Sequence, residues 1–223
     1  MANQNGNVYG LTVLSPILAG VTKETSHNCA LRMYLAGLPN DQNSPFARVS
    51  STHMARLVVM DDVVFVGHPA QEEHLRSQYL IFETNFDGDL DTYLRRLATE
   101  IPGEVRDVWQ HCWGYPGVEN VDAFIAYIKK CQVTTTFYFA DVNNHTVQET
   151  LQALETQAAV AKFIDENQGV PAAELKKNFA HFMQKLRSAP APVPGCPERG
   201  GGPPQLKTHM LWATRRTRGQ AAQ

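Results

Sequence analysis

The sequence lacks the features that mark membrane, secreted and zinc-binding proteins. No stretch approaches the roughly 18 consecutive apolar residues of a membrane-spanning helix, and the opening MANQNGNVYG has no basic region followed by an apolar one. The four cysteines are scattered without a CxxC pair, which argues against a disulfide framework and a structural zinc site. We therefore expect a cytoplasmic protein with reduced thiols and no membrane span.

Motifs that identify a reaction are also absent. The chain contains no GxGxxG, Walker A, GxSxG or HExxH pattern, so the sequence does not support a nucleotide-phosphate-binding loop or one of the commoner hydrolase sites.

Basic charge is concentrated at the carboxyl end: the net charge is −2, the residues from Ser188 onward carry +4, and the remainder therefore carries about −6. An acidic body argues against nucleic-acid binding, because phosphate contacts need a basic face.

Proline and glycine are concentrated in one stretch, SAPAPVPGCPERGGGPP at 188–204, which has six prolines and four glycines. Proline removes hydrogen-bond donors and glycine raises the entropic cost of ordering, so no packed element is expected there. We predict one domain over 1–187 and a mobile linker with a basic tail over 188–223. The apolar triplet at 210–212 leaves two interpretations of the tail open, a docking segment and a mobile chain end.

Hydrophobic spacing in the domain predicts alternating strands and helices. Strands are expected at 8–17, 52–62, 78–87 and 134–142, and helices at 23–39, 89–101, 104–112, 120–132, from 146 onward and up to about 187. Apart from two inserted helices, this order is the split βαβ of ferredoxin-like domains. We predict an α+β fold with a four-stranded antiparallel sheet, the inserted helices and two carboxyl-terminal helices.

Helices on one side of such a sheet leave its other side to a second subunit, a second domain or a ligand. If the second and third strands form a hairpin centred near 69–70, Arg56 lies opposite Glu83 as a cross-strand ion pair. Arg56, Glu83 and Tyr138 then share the uncovered side with apolar neighbours, which is typical of a ligand pocket. A dimer interface with one buried ion pair accounts for the same residues.

The stretch DVWQHCWGYPGV, at 107–118, holds the densest set of aromatic residues. On a helix, Trp109 and Cys112 face the core, and His111 lies about 60° beyond them, at the boundary with solvent. His111 is thus a candidate cofactor ligand or general base. Trp109 and Tyr115 are candidate ligand contacts, although a helix followed by its stop also explains this stretch.

Four other groups of polar residues are also possible sites. His53 lies at the start of a strand near the sheet edge. It either forms a hydrogen bond with a loop or takes part in a functional site. Asp87 has a sufficient explanation as a turn or helix-cap residue. The histidines and acids of 68–74 form a metal site only if their loop folds back on itself. His27 and Cys29 point in different directions on one helix, which argues against joint ligation.

Four stretches together resemble a known family: THMARLVVMDD, YLIFETNFDGDLDTYL, VWQHCWGYPG and TTFYFADVNNHTV. Over roughly residues 8–150 they are similar to a bacterial family without an assigned activity in the dimeric α+β-barrel superfamily. Dye-decolourising peroxidases, chlorite dismutases and small monooxygenases also belong to that superfamily. The resemblance implies a homodimer and an oxidoreductase activity, if the protein is an enzyme.

The haem peroxidases of the superfamily carry a distal GxxDG motif, which aligns with residues 84–88. Thr84 replaces its first glycine. By this resemblance Asp87 is a distal catalytic residue, Arg56 a distal cation and His111 the axial haem ligand.

Two functions are therefore expected. The first is a peroxidase-like or monooxygenase-like redox protein, haem-binding or cofactor-free, that acts on a small aromatic or lipid-like molecule. Its pocket is lined by Arg56, Glu83 and Tyr138 and reached by His53 or His111. The alternative is a non-catalytic binding or accessory protein whose sheet docks a partner or a second subunit. The first is favoured because an Arg–Glu–Tyr set is costly to bury without a purpose.

Overall fold

The computed structural model describes residues 3–63, 67–68, 74–192 and 194. This part of the chain is an α+β structure with one four-stranded antiparallel sheet and seven helices. The strands are β1 (Gln4–Asn5), β2 (Val8–Pro16), β3 (Thr52–Met60) and β4 (Tyr79–Asp87). The helices are α1 (His27–Ala36), α2 (Pro45–Arg48), α3 (Leu90–Glu100), α4 (Pro102–Trp109), α5 (Val121–Cys131), α6 (Val147–Glu166) and α7 (Ala172–Arg187).

Three of the four predicted strands are confirmed, and the sheet order is β1-β2-β4-β3. The strand predicted at 134–142 is wrong: those residues form no strand, and the fourth place in the sheet belongs to β1. The outer edge of β2 is already shared by three segments, because β1 pairs at its start, Gln132 bridges Val13, and Cys112 bridges Ile17. The chain therefore leaves the edge after residue 133, whose N–H donates to Thr12 at 2.8 Å.

The core lies between the sheet and helices α3, α4 and α5, and the aromatic stretch at 107–118 is anchored in it. Trp109 meets Phe82 of β4 edge-on at 5.3 Å and Phe124 of α5 at 5.9 Å. Tyr93 of α3 stacks on Phe86 at 3.8 Å between ring centres. Fully burying such side chains stabilises the fold by about 1.5–3 kcal/mol each. The stretch therefore contains the end of α4, which packs into the hydrophobic core through Trp109.

Side-chain caps fix the starts of α3 and α6. Asp89 caps α3 by accepting from the N–H of Thr92, and Thr146 with Glu149 forms the predicted capping box of α6. Since Asp89 caps α3, Asp87 is not needed for that role. Its carboxylate is available for other partners.

The two predicted carboxyl-terminal helices are confirmed as the hairpin α6–α7. Its two arms meet through aromatic rings, with Phe163 stacked on Phe182 at 4.7 Å, and no residue of α7 is buried. After α7 the chain returns toward α6, where Ala191 and Pro192 line a groove together with α6 residues between 148 and 157. Most of the tail predicted over 188–223 lies outside the described residues. No helix among the described residues is both long and apolar enough to cross a membrane.

Candidate functional site

The side of the sheet opposite α3–α5 is called the open face here. Its residues alternate with the core residues along β2, β3 and β4, and most of them are half-buried or exposed. One end, the polar half, carries Thr12, His53, Met54, Arg56, Glu83, Asn85 and Asp87. The other end, the apolar half, carries Leu14, Pro16, Val58, Met60, Tyr79 and Ile81.

The predicted ion pair is present on the open face. Arg56 and Glu83 are cross-strand partners, and the Arg56 Nε donates to Glu83 Oε2 at 2.7 Å. Their side chains are 63% and 28% exposed, so the pair is not a buried one. Exposed ion pairs contribute about 0–1 kcal/mol. A high cost of burial was expected for this pair and is not present, so the expectation that burial cost implies a function is wrong.

A histidine–carboxylate pair lies at the end of the polar half. His53 Nε2 is 2.7 Å from Asp87 Oδ1, and Asp87 Oδ2 accepts from the N–H of Val147, the first residue of α6, at 2.8 Å. The two side chains of the pair are 23% and 12% exposed. The carboxylate is thus mostly enclosed and held from both sides.

This pairing assigns the tautomer of neutral His53. An ionised carboxylate only accepts hydrogen bonds, so Nε2 carries the hydrogen and Nδ1 keeps its lone pair. Among the described residues, no hydrogen-bond partner of Nδ1 is found. An imidazole oriented by a carboxylate, with its second nitrogen open, is the arrangement of a general base.

Tyr138 covers the middle of the polar half. Its ring lies over Gly10, where a Cβ atom would stand 2.7 Å from the nearest ring carbon; only glycine allows this approach. The Tyr138 hydroxyl is buried without a hydrogen-bond partner among the described residues, and burial raises its pKa. A buried neutral phenol without a partner is suited to bond a ligand or a water molecule.

His111 lies at the other end of the sheet. Its backbone carbonyl accepts from Leu18, just beyond β2, whereas Asp87 pairs with Val8 at the start of β2. Those two points are ten residues apart along the strand, which is about 34 Å at 3.4 Å per residue in an antiparallel sheet. His111 is therefore not brought together with Asp87, nor with the other residues of the polar half.

The side chain of His111 has a partner that the sequence did not indicate. Its Nδ1 is 3.1 Å from Nδ1 of His27, the first residue of α1. Burial, then the neighbouring His27, lowers the pKa of His111. The two histidines are 84 positions apart in the sequence, so no local pattern reveals their contact.

The other candidates from that aromatic stretch lie on the helix side of the sheet. Trp109 is buried in the core. Tyr115 packs edge-on against Phe124 and Tyr127, and burial raises the Tyr115 pKa to about 12. Neither residue lines the open face. Cys112 is buried as well, and burial raises the pKa of its thiol to about 12, which is contrary to a reactive thiolate.

These positions do not fit one haem site. A proximal ligand and its distal groups must lie on either side of the same iron, and His111 is at the wrong end of the sheet for Arg56 and Asp87. No cluster of three or more His, Cys, Asp or Glu suited to a metal ion occurs in the described ranges. The proposed loop site is described only in part: His74 contacts Asp62 at 2.7 Å, and 69–73 lie outside the described residues.

Comparisons of the chain with family profiles, curated proteins and solved structures found no match. Its function is therefore argued from the open face.

Proposed function

We propose that this protein binds a small organic molecule on the polar half of the open face and removes a proton from it through His53. The observation that carries the proposal is the His53–Asp87 pair, with an open Nδ1 on a partly enclosed surface. Arg56 supplies a positive charge for the anion that forms, and Tyr138 supplies a phenol hydrogen for a polar group of the ligand. Asp87 is a positioning residue, since it acts through His53.

The superfamily of the family that this chain resembles includes small monooxygenases, and from them we take a reaction class, oxidation of an aromatic or lipid-like substrate. Loss of a proton from an acidic O–H or C–H group leaves an electron-rich anion. We propose that this anion is oxidised by O2 without insertion of an oxygen atom: the anion gives up two electrons and a second proton, His53 releases the first proton, and O2 becomes hydrogen peroxide. This route requires no haem. We also propose that the chain has a ferredoxin-like fold and belongs to the dimeric α+β-barrel superfamily. The sheet order supports this, because β4 lies between β2 and β3, which run parallel to each other, as in a split βαβ unit.

The proton-transfer step is tested with 5-nitrobenzisoxazole, a planar aromatic probe. A base removes its ring C–H proton, the N–O bond opens, and a coloured cyanonitrophenolate forms without any other reactant. Positioned bases accelerate such steps by roughly 10²- to 10⁴-fold. We expect turnover by the unaltered protein and its loss in His53→Gln. His181→Gln, which alters an exposed histidine of α7, is the matched control and should leave the rate unchanged.

Two results would contradict the proposal. The first is an unaltered protein that is no faster than free imidazole at the same concentration. The second is a His53→Gln variant that keeps the full rate while its circular dichroism spectrum is unchanged.

A second candidate function rests on the exposed apolar side chains. Met54 and Val58 on the open face are 45% and 40% exposed, and Phe137 and Phe139, on either side of Tyr138, are exposed as well. Such residues suit a non-catalytic accessory protein that docks a partner, or a homodimer joined through its sheets. Sedimentation velocity over a range of concentrations tests the homodimer. Val58→Asp should then shift the population to monomers, and a monomer at every concentration in the unaltered protein would count against it.

A further inference from the structure

Two histidines from distant parts of the chain meet outside the open face. His27 is the first residue of α1, and His111 follows the end of α4. Their Nδ1 atoms are 3.1 Å apart, and both residues are half-buried. Since His111 lies at the other end of the sheet from Asp87, the proposed function does not use this pair.

Hydrogen bonds fix the backbone at both histidines. The side chain of Ser26 caps α1 by accepting from the N–H of Cys29, which sets the start of that helix at His27. The carbonyl of His111 accepts from the N–H of Leu18 at 2.8 Å. Side chains carried by rigid elements are suited to hold a ligand in a defined geometry.

The contact brings two nitrogen atoms of the same kind head to head. When both rings are neutral, one Nδ1 donates and the other accepts, so His27 and His111 are opposite tautomers. Transfer of the shared hydrogen to Nε2 of its own ring frees a second lone pair at Nδ1. Two Nδ1 lone pairs then adjoin the same small space, where a cation can replace the hydrogen.

The distance between the two nitrogens matches a shared metal ion. Bonds from zinc to histidine nitrogen are about 2.0–2.1 Å long, so two such ligands are about 2.9 Å apart at a right angle and about 3.3 Å apart at the tetrahedral angle. The observed 3.1 Å lies between these values. The ring planes are inclined at 64° rather than stacked, and each ring has to turn toward an ion that lies beside the line joining the nitrogens.

A carboxylate near the pair can balance the charge of an ion. Asp107 is half-buried on α4, four residues before His111. Burial lowers the pKa of His111, and the negative charge of Asp107 opposes this change. Within the described part of the chain, the Asp107 carboxylate has no hydrogen bond and no ion pair. It is therefore available to a water molecule bound to an ion.

We propose that His27 and His111 bind one divalent transition-metal ion through their Nδ1 atoms, with Asp107 as an outer-shell partner. The described ranges contain no group of three protein ligands, so water fills the remaining positions. Imidazole nitrogen suits Zn²⁺, Cu²⁺ and Ni²⁺. The ion joins the start of α1 to the end of α4, and it stabilises the folded protein because the unfolded chain does not hold the two histidines together.

The test uses the metal-free full chain with ¹⁵N-labelled histidine, titrated with Zn²⁺ at neutral pH and followed by long-range ¹H–¹⁵N nuclear magnetic resonance. The Nδ1 signals of His27 and His111 should move together and saturate at one Zn²⁺ per chain. The other histidine signals should be unchanged at that Zn²⁺ concentration. Zn²⁺ should also raise the melting temperature.

Variants test the assignment by isothermal titration calorimetry. Loss of an outer-shell partner typically lowers metal affinity 10- to 100-fold, so Asp107→Asn should lower it about 10-fold. Loss of a direct ligand in His27→Gln or His111→Gln should lower it at least about 100-fold. His181→Gln, which alters an exposed histidine of α7, is the matched control and should bind Zn²⁺ as the unaltered protein does.

Several results would overturn the metal site. One is a titration in which the His27 and His111 signals stay in place, or move only when all histidine signals move. Another is full Zn²⁺ affinity in folded His27→Gln and His111→Gln. If these variants fail to fold, the titration of the unaltered protein decides alone. None of these readouts depends on turnover of the benzisoxazole probe, so metal binding and proton removal by His53 can fail separately.

Discussion

Replacing Asp87 separates two roles that its carboxylate combines, because one oxygen orients His53 and the other holds the first N–H of α6. In Asp87→Ala both hydrogen bonds are lost. The N–H of Val147, a buried residue, is left without its acceptor, which costs about 1–3 kcal/mol. Losing the bond to His53 adds about 1 kcal/mol, since that ring can turn to water. We expect Asp87→Ala to lower the free energy of unfolding by about 2–4 kcal/mol.

Asp87→Asn should behave differently. Its amide oxygen can still accept from Val147, so the expected loss of stability is only about 1 kcal/mol. Its amide nitrogen, however, donates toward His53 and forces Nε2 to become the acceptor. The hydrogen then moves to Nδ1, and the open lone pair of the base is gone. Turnover of the benzisoxazole probe should fall roughly 100-fold while the fold is retained.

Two measurements check this pair of variants. Urea unfolding followed by circular dichroism gives the two free energies, and long-range ¹H–¹⁵N spectra of the histidine rings identify the tautomer of His53. The reasoning is refuted if Asp87→Asn keeps the hydrogen on Nε2 and full turnover. It is equally refuted if Asn and Ala destabilise the protein by the same amount.

Three further predictions concern other parts of the structure. Gly10→Ala places a methyl group against the ring of Tyr138, so the ring should move away from the sheet. Tyr138 should then be nitrated faster than in the unaltered protein, which mass spectrometry detects. Unchanged nitration of Tyr138 would contradict this packing. The pKa of His111 in the folded protein is lowered from 6.5, so unfolding takes up a proton and the free energy of unfolding should fall as the pH decreases below about 6.5. The melting temperature of His111→Gln should therefore depend less on pH over that range than the melting temperature of the unaltered protein. An identical pH dependence in the two proteins would contradict the assignment. In the native protein at pH 8, iodoacetamide should label exposed Cys29 and spare Cys112, whose buried thiol has a pKa raised to about 12; labelling of both at one rate would show that the core opens readily.

The sequence was sufficient for the elements whose signals are local. Helix caps, period-two strands and the symmetric β3–β4 hairpin gave the correct register, including Arg56 opposite Glu83. The stretch 134–142 has strong β-formers, but its course is set by tertiary contacts, since the outer edge of β2 is taken by other segments. Propensity for strands depends on such context more than propensity for helices does.

The pairing of His53 with Asp87 was not predicted from the sequence. His53 and Asp87 were both candidates, yet strict alternation places His53 on the core side with Ala55. The register of β3 against β4 shifts between Thr52 and Met54, and this extra residue turns the His53 ring to Asp87. A bulge of one residue re-aims a side chain without leaving a clear mark in the composition. One signal in the sequence could have predicted the pair. His53 lies at the start of β3, and Asp87 lies at the end of β4, which is the point opposite it in an antiparallel hairpin.

The outer edge of β2 pairs with several short, separate segments of the chain, and this affects the order in which the protein folds. Its cover comes from residues 4–5, 112 and 132, so one strand depends on chain positions more than a hundred residues apart. Contacts across such separations form slowly because long loops must close first. Until Gln132 has been synthesised and docked, nascent β2 presents unpaired N–H and C=O groups to any other strand. Misassembly of this protein should therefore begin at β2, and its yield on expression should depend on how fast α5 reaches the sheet.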